Sequence, residues 1–280
     1  MTHEPISGLA AGVPFTALPP TAPGPASMVV TWHMIGAPRT DAAFAAALPM
    51  AGVPAWRVHL GMPLCGARMR DGSMDAVVEL TREDAVLAYE DPFVRQAAEE
   101  FPAALGELRE RLSLPDGPIG VVGGSLGGAV ALHILASAQT PIAAAAVVNA
   151  AIRARSVVSL IEQGSGQPYT WTPESRAAAD RLDFVANADA IAARTPQPPL
   201  LVVSGDLDSE SLRADAVELV DALKRRYAKP DHVELLTVPG LAHALAELPG
   251  LEPAPQTPTA KVVDEAITRW FVRHLAGTPV

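Results

Sequence analysis

The sequence predicts an α/β domain with a mostly parallel central sheet flanked by helices, and three observations lead there. Short apolar runs alternate along the chain with helical patterns, the signature of repeated β-α units. With 280 residues, 49% of them hydrophobic and 19% charged, the chain suits one large domain, residues 1–280, with a sizeable core. Residues 117–152 carry no formal charge, yet Gly123-Gly124, Gly127-Gly128 and Gln139-Thr140-Pro141 divide them. A buried strand, a helix and a second strand account for such a stretch better than a membrane-spanning helix.

Taken in order, "SMVVTWH" (27–33) reads as a strand and "TDAAFAAALPMAG" as a helix ending at Gly52. "AWRVHLG" (55–61) is the next strand. A long helical region follows from about Arg82 to Leu114, interrupted around Pro92 and Pro102. The strand "PIGVVGG", a helix from Leu126 to Ala138 and the strand "IAAAAVVNA" (142–150) come next. "PPLLVVSG" (198–205) and "HVELLTVPG" (232–240) are further strands, separated by a helix across 209–228, and a helix near 259–275 closes the pattern. Residues 151–195 hold helical stretches with Tyr169 and Trp171 but no strong strand, and read either as a small helical cap inserted between two strands or as plain connecting helices. Proline-rich pieces at 19–25 and 252–258 read as surface connectors.

Charge and cysteine content exclude several classes. The formal net charge is −10 with a pI near 5.1, and no cluster of Lys and Arg offers a nucleic-acid footprint. The single cysteine, Cys65, rules out an internal disulfide and a multi-cysteine metal site. "MTHEPISGLAAGVPF" lacks a basic region followed by an apolar core, so no signal peptide is read and a cytoplasmic location is expected.

The informative stretch is Gly123-Gly124-Ser125-Leu126-Gly127, a Gly-x-Ser-x-Gly pattern between a buried strand and a helix. A strand that passes at once into a helix exposes a serine only if the backbone reverses very tightly. Residues two before and two after the serine are then crowded together, and glycine removes the Cβ atoms that would collide. Neither rival glycine motif fits: no Gly-Lys-Ser/Thr follows, and the spacing is not G-x-G-x-x-G.

A serine hydroxyl is a poor nucleophile and needs a base, with an acid to orient that base. In such an architecture they follow in the order serine, acid, histidine, on loops after strands. "GDLDSE" after "PLLVVS" supplies Asp206 or Asp208, and "LAHALAE" after "VELLTVPG" supplies His243, all at carboxyl ends of strands. His232 stands at a strand start and His274 in the last helix. His133 reads as a packed or partly exposed helix residue, and His59, inside a strand, as structural.

With these three motifs in this order, the chain resembles the α/β-hydrolase superfamily of serine hydrolases over roughly residues 13–276. The resemblance implies the α/β-hydrolase fold. It also points to Asp208 over Asp206, because the family's acid is usually the third residue after a glycine closing its strand, as in Gly205-Asp206-Leu207-Asp208. "PGLAH" matches the glycine-rich turn usual before the histidine. "GMPLCGAR" (61–68) and the short cap are similar to small bacterial carboxylesterases related to the prolyl-oligopeptidase branch. The family commonly carries His-Gly after its third strand, and the next backbone N–H forms half of the oxyanion hole. Here the stretch is Trp32-His33-Met34-Ile35-Gly36, with Met34 where glycine is usual. By position, Ile35 N–H is expected to pair with Leu126 N–H, and His33 to brace the loop.

The function expected is hydrolysis of carboxylic esters, with Ser125 as nucleophile, His243 as base and Asp208 orienting it. An acyl-enzyme chemistry of this kind needs no metal and no organic cofactor. The expected partner is a small-molecule ester, with no nucleic acid and no membrane, and the oligomeric state is open. A cap of only 45 residues (151–195) favours short acyl groups over lipids. Two readings stay open beside it: the same triad acting on thioesters, amides or peptides, and a binding protein that keeps the fold without turnover.

Overall fold

The structure, a computed structural model, describes residues 4–21 and 27–275. At one edge of its sheet lies a hairpin of β1 (Ile6–Ala10) and β2 (Val13–Leu18), which the apolar pattern does not announce because four of the five β1 residues are exposed. Ala11 (φ 47°) and Gly12 (φ 83°) both take left-handed conformations at the two-residue turn. That geometry matches the twist of paired strands.

β3 (Met28–Trp32), β4 (Trp56–Leu60), β5 (Ile119–Gly124), β6 (Ile142–Val148), β7 (Leu200–Gly205) and β8 (Val233–Val238) complete an eight-stranded sheet in the order β1-β2-β4-β3-β5-β6-β7-β8. β2 is antiparallel to both its neighbours, and every other pair is parallel. From β3 the chain moves to β4 on one side and then returns to β5 on the other. This reversal opens a crevice beyond the carboxyl ends of β3 and β5, where open α/β sheets place their sites.

The helices are α1 (Asp41–Ala47), α2 (Asp75–Glu83), α3 (Asp91–Arg111), α4 (Leu126–Ser137), α5 (Ala154–Ser165), α6 (Pro173–Arg181), α7 (Ala188–Ala192), α8 (Glu210–Lys224) and α9 (Pro258–Leu275). Successive strand residues face opposite layers: Val121 belongs to a core cluster that includes residues of α3, α4 and α8, whereas Val122 belongs to a second cluster with residues of α1 and α9. Burial on both faces is what the continuous apolar runs encode. These features place the chain in the α/β-hydrolase fold.

Two helix boundaries differ from the sequence expectation. α1 stops at Ala47 rather than Gly52, because Leu48 precedes Pro49 and takes an extended φ of −130°. α3 runs unbroken through Pro102; one backbone bond is lost there, while Phe101, Leu105 and Leu108 keep the helix anchored in the core. Pro92 does perturb the chain. Residues Ala85–Glu90 form a single wide turn, in which Asp91 N–H donates to Val86 C=O five residues back. The proline ring crowds the carbonyl four residues before it, and the wide turn makes room. Residues 151–195 contribute α5, α6 and α7 and no strand of the sheet; α5 and α6 pack on the wide turn, α7 on α4 and α8. Among the described residues, no helix is long and apolar enough to cross a membrane.

Candidate active site

The turn from β5 into α4 is as tight as the glycine pattern requires. Ser125 has φ 50° and ψ −120°, a conformation that side chains rarely take and that aims Oγ out of the sheet. A Cβ on Gly123 would lie 2.0 Å from Gly127 O, and a Cβ on Gly127 would lie 2.3 Å from Trp32 O. Both contacts are with backbone, so neither could be relieved by a rotamer change. The serine is held on both sides: its N–H donates to Val148 C=O (3.0 Å) and its C=O accepts from Ala151 N–H (2.9 Å).

The loops after β7 and β8 bring two side chains to this serine. His243 Nε2 lies 2.9 Å from Ser125 Oγ, and His243 Nδ1 lies 3.0 and 3.1 Å from the two oxygens of Asp208. A carboxylate only accepts, so Nδ1 carries the proton and Nε2 presents a lone pair to the serine hydroxyl. Asp208 is nearly buried and also accepts from Ser209 N–H (2.7 Å), while the His243 side chain is 37% exposed. Asp206 lies elsewhere: its Oδ1 accepts from Gly240 N–H (2.7 Å) and so ties down the turn before the histidine. The cap of α8 is instead Ser209, whose Oγ accepts from Leu212 N–H.

The loop after β3 packs against the first turn of α4. Gly127 abuts the carbonyls of Trp32 and His33, and Gly36 lies beside the His243 ring, its missing Cβ 3.8 Å from Cδ2. His33 is fully buried; its Nε2 accepts from Met62 N–H (2.9 Å), which leaves Nδ1–H to donate to Met34 C=O (2.6 Å). Burial lowers its pKa to about 4, so the ring is neutral and spans the loops after β3 and β4. Met34 sends its side chain into the core beneath α1, into the space that Gly124 leaves free: a Cβ on Gly124 would stand 2.8 Å from Met34 Cγ. Met34 has no left-handed φ, so this turn places no demand for glycine there. Among the described residues, neither Ile35 N–H nor Leu126 N–H donates to another residue, and both remain free to meet an incoming oxygen.

One contributor has no signal in the sequence pattern. Asn149, just past β6, is 3% exposed and has φ 44°; its Nδ2 donates to Ala242 C=O (2.8 Å) and His243 C=O (3.1 Å), and its Oδ1 accepts from Gly205 N–H (2.8 Å). Only its position at a strand's carboxyl end could have pointed to it. The His232 and His274 rings lie 5.8 Å from each other at the far edge of the sheet, by the β8 strand. Cys65 is no rival nucleophile, because burial pushes its thiol up to about 12. A concavity of about 780 Å³ lies at the amino-terminal ends of the strands, lined by Pro118, Ile142, Pro199 and His232. The serine that lines it, Ser137, donates to the His133 carbonyl rather than to a histidine ring. No group of three His, Cys, Asp or Glu side chains among the described residues could hold a metal ion.

No curated protein matches the chain in sequence. Solved structures do match in fold. TT1662 from Thermus thermophilus has a TM-score of 0.63 at 21% identity, over 96% of this chain and 99% of its own. Est1E from Butyrivibrio proteoclasticus has a TM-score of 0.59 at 15% identity, over 97% and 99%. The acylaminoacyl peptidase of Pyrococcus horikoshii has a TM-score of 0.66 at 14% identity, over all of this chain but only 43% of its own. The prolyl oligopeptidase family matches residues 95–278, a span that holds most of α3, the serine turn and every strand from β5 to β8. By that match the chain belongs to the prolyl oligopeptidase family and is a serine hydrolase.

Proposed function

We propose that this serine hydrolase cleaves short-acyl carboxylic esters, with Ser125, His243 and Asp208 as its triad. The observation that carries the proposal is the 2.9 Å contact of Ser125 Oγ with His243 Nε2, in a ring whose other nitrogen faces Asp208. Ser125 Oγ attacks the ester carbonyl carbon while its proton passes to Nε2. The tetrahedral oxyanion is met by the N–H groups of Leu126 and Ile35. Collapse expels the alcohol, which takes the proton from His243 and leaves an acyl-serine. Water then repeats the sequence, with His243 again as base, and releases the acid. Asp208 keeps the proton on Nδ1 and stabilises the imidazolium in both halves.

The substrate we infer is a small neutral ester. The stretch 151–195, with α5 and α6 packed on the wide turn before α3, acts in this reading as a small cap that limits acyl length. A peptidase reading on the same triad is favoured by the family's description and by the acylaminoacyl peptidase among its structural neighbours; esterases stand among those neighbours too. Paired p-nitrophenyl esters and p-nitroanilides separate the two. Acetate or butyrate esters should be hydrolysed faster than the palmitate ester and faster than the anilides. A fluorophosphonate probe should label the wild type and not Ser125→Ala, with unfolding of the variant little changed. Palmitate or anilide rates at or above the butyrate rate, or undiminished labelling of Ser125→Ala, would refute the proposal.

A further inference from the structure

We propose that Asn149 is a positioning residue that holds the acid and histidine loops in register with the serine. The inference rests on the triad reading above and concerns how the triad is kept assembled. β6 lies in the sheet between the serine's strand and the acid's strand, and the segment that leaves it touches all three loops. On one side Val148 C=O and Ala151 N–H bracket Ser125. On the other, the Asn149 side chain joins Gly205, three residues before Asp208, to the carbonyls of Ala242 and His243. Both amide hydrogens and one carbonyl lone pair are used inside a side chain that is 3% exposed.

The residue type follows from these demands. The backbone of residue 149 is left-handed, at φ 44°, and asparagine tolerates that region better than most residues do. Two carbonyls facing one amide nitrogen require two donors, and an N–H facing the same group requires an acceptor. An amide meets both, whereas a carboxylate would set negative charge against two carbonyl oxygens. The tether to His243 C=O fixes the backbone from which the imidazole projects, so it sets where Nε2 and Nδ1 stand relative to Ser125 and Asp208. Displacements of about 1 Å in such geometry cost on the order of 100-fold in rate.

The test compares Asn149→Asp, which keeps the volume and the acceptor, and Asn149→Gly, which keeps the backbone freedom, with Tyr227→Phe as a control. Tyr227 is buried and donates to Pro198 C=O (3.1 Å) at the opposite end of the sheet, so its variant loses stability without touching the site. Two readouts are needed: kcat and KM on p-nitrophenyl butyrate, and the His243 Nδ1–H resonance in protein carrying 15N-labelled histidine. Both Asn149 variants should lower kcat by about 10- to 100-fold with KM within about threefold. Both should also broaden or abolish the Nδ1–H signal through exchange with water, while Tyr227→Phe lowers Tm and leaves kcat and the signal in place. An intact signal with kcat within twofold of wild type in the Asn149 variants overturns the proposal. So does failure of both variants to fold, since the tether would then be a requirement of the fold and not of registration. If the wild type hydrolyses no ester, the esterase reading fails while the resonance still decides the role of Asn149.

Discussion

At the scale of single residues, Asp208 and Asp206 lie two positions apart and serve different partners. Asp208→Asn keeps the shape but can present an amide to Nδ1 and hold the imidazole in the wrong tautomer. It should lower kcat by about 10⁴, the loss typical when a triad acid becomes an amide. Asp206→Asn keeps an oxygen to accept from Gly240 N–H and should leave kcat within a few-fold. Steady-state kinetics of the pair on p-nitrophenyl butyrate checks this, and a larger loss for residue 206 would reverse the assignment. Ile35 offers a second test, since only its N–H is asked to work. Ile35→Ala should retain most activity, whereas Ile35→Pro, without a donor, should lose about 10²–10³ in kcat. Equal effects of the two changes would remove Ile35 from the oxyanion hole. Ser125 and His243 are legible in the sequence, because glycine spacing and strand ends leave few alternatives. The two aspartates are not separable by residue pattern alone, and the resemblance to a family separates them. Asn149 is illegible: a left-handed φ and three hydrogen bonds leave no mark on composition or periodicity.

At the scale of elements, strands buried on both faces are the most legible, since their apolar runs need no partner to be recognised. The β1–β2 hairpin escapes because most of β1 faces solvent, and α3 passes Pro102 because core contacts outweigh one lost hydrogen bond. The wide turn at Ala85–Glu90 has a cost of its own. It turns Glu90 inward, 1% exposed, with Oε1 lacking a partner among the described residues, and burial raises its pKa well above the usual carboxylate range. Folded chains then hold a proton that unfolded chains release above about pH 4.5, so stability falls as pH rises through that window. Glu90→Met removes the buried acid at similar volume. It should raise Tm by about 2–4 °C at pH 8, equivalent to about 1 kcal/mol, and by less at pH 4.5. Thermal melts at the two pH values check this; a variant less stable at pH 8 would show that the carboxyl has an unseen partner.

At the scale of the whole molecule, two buried histidines should act on acid stability in the opposite sense. Burial lowers His33 to about 4 and His59 to about 3, below the 6.5 of an unfolded chain. Unfolded chains bind protons first as pH falls from 6.5, so the stability these rings contribute is lost across that interval. His59 should account for about 2 kcal/mol between pH 6.5 and 4.5. Buried carboxyls such as Glu90 oppose the trend, so the comparison is with His59→Asn, whose denaturation midpoint should fall less steeply over the same range. Parallel slopes for the two proteins would exclude His59 as the cause. A further consequence lies in the connectivity of the proposed triad. Ser125 and His243 meet across 118 positions of the chain, and the loops that carry them adjoin only when β5, β6, β7 and β8 stand side by side. Contacts so distant in sequence form late, after helices and local turns. During refolding, helicity should therefore return before a phosphonate can react, and the number of labelled serines counts finished molecules rather than merely compact ones.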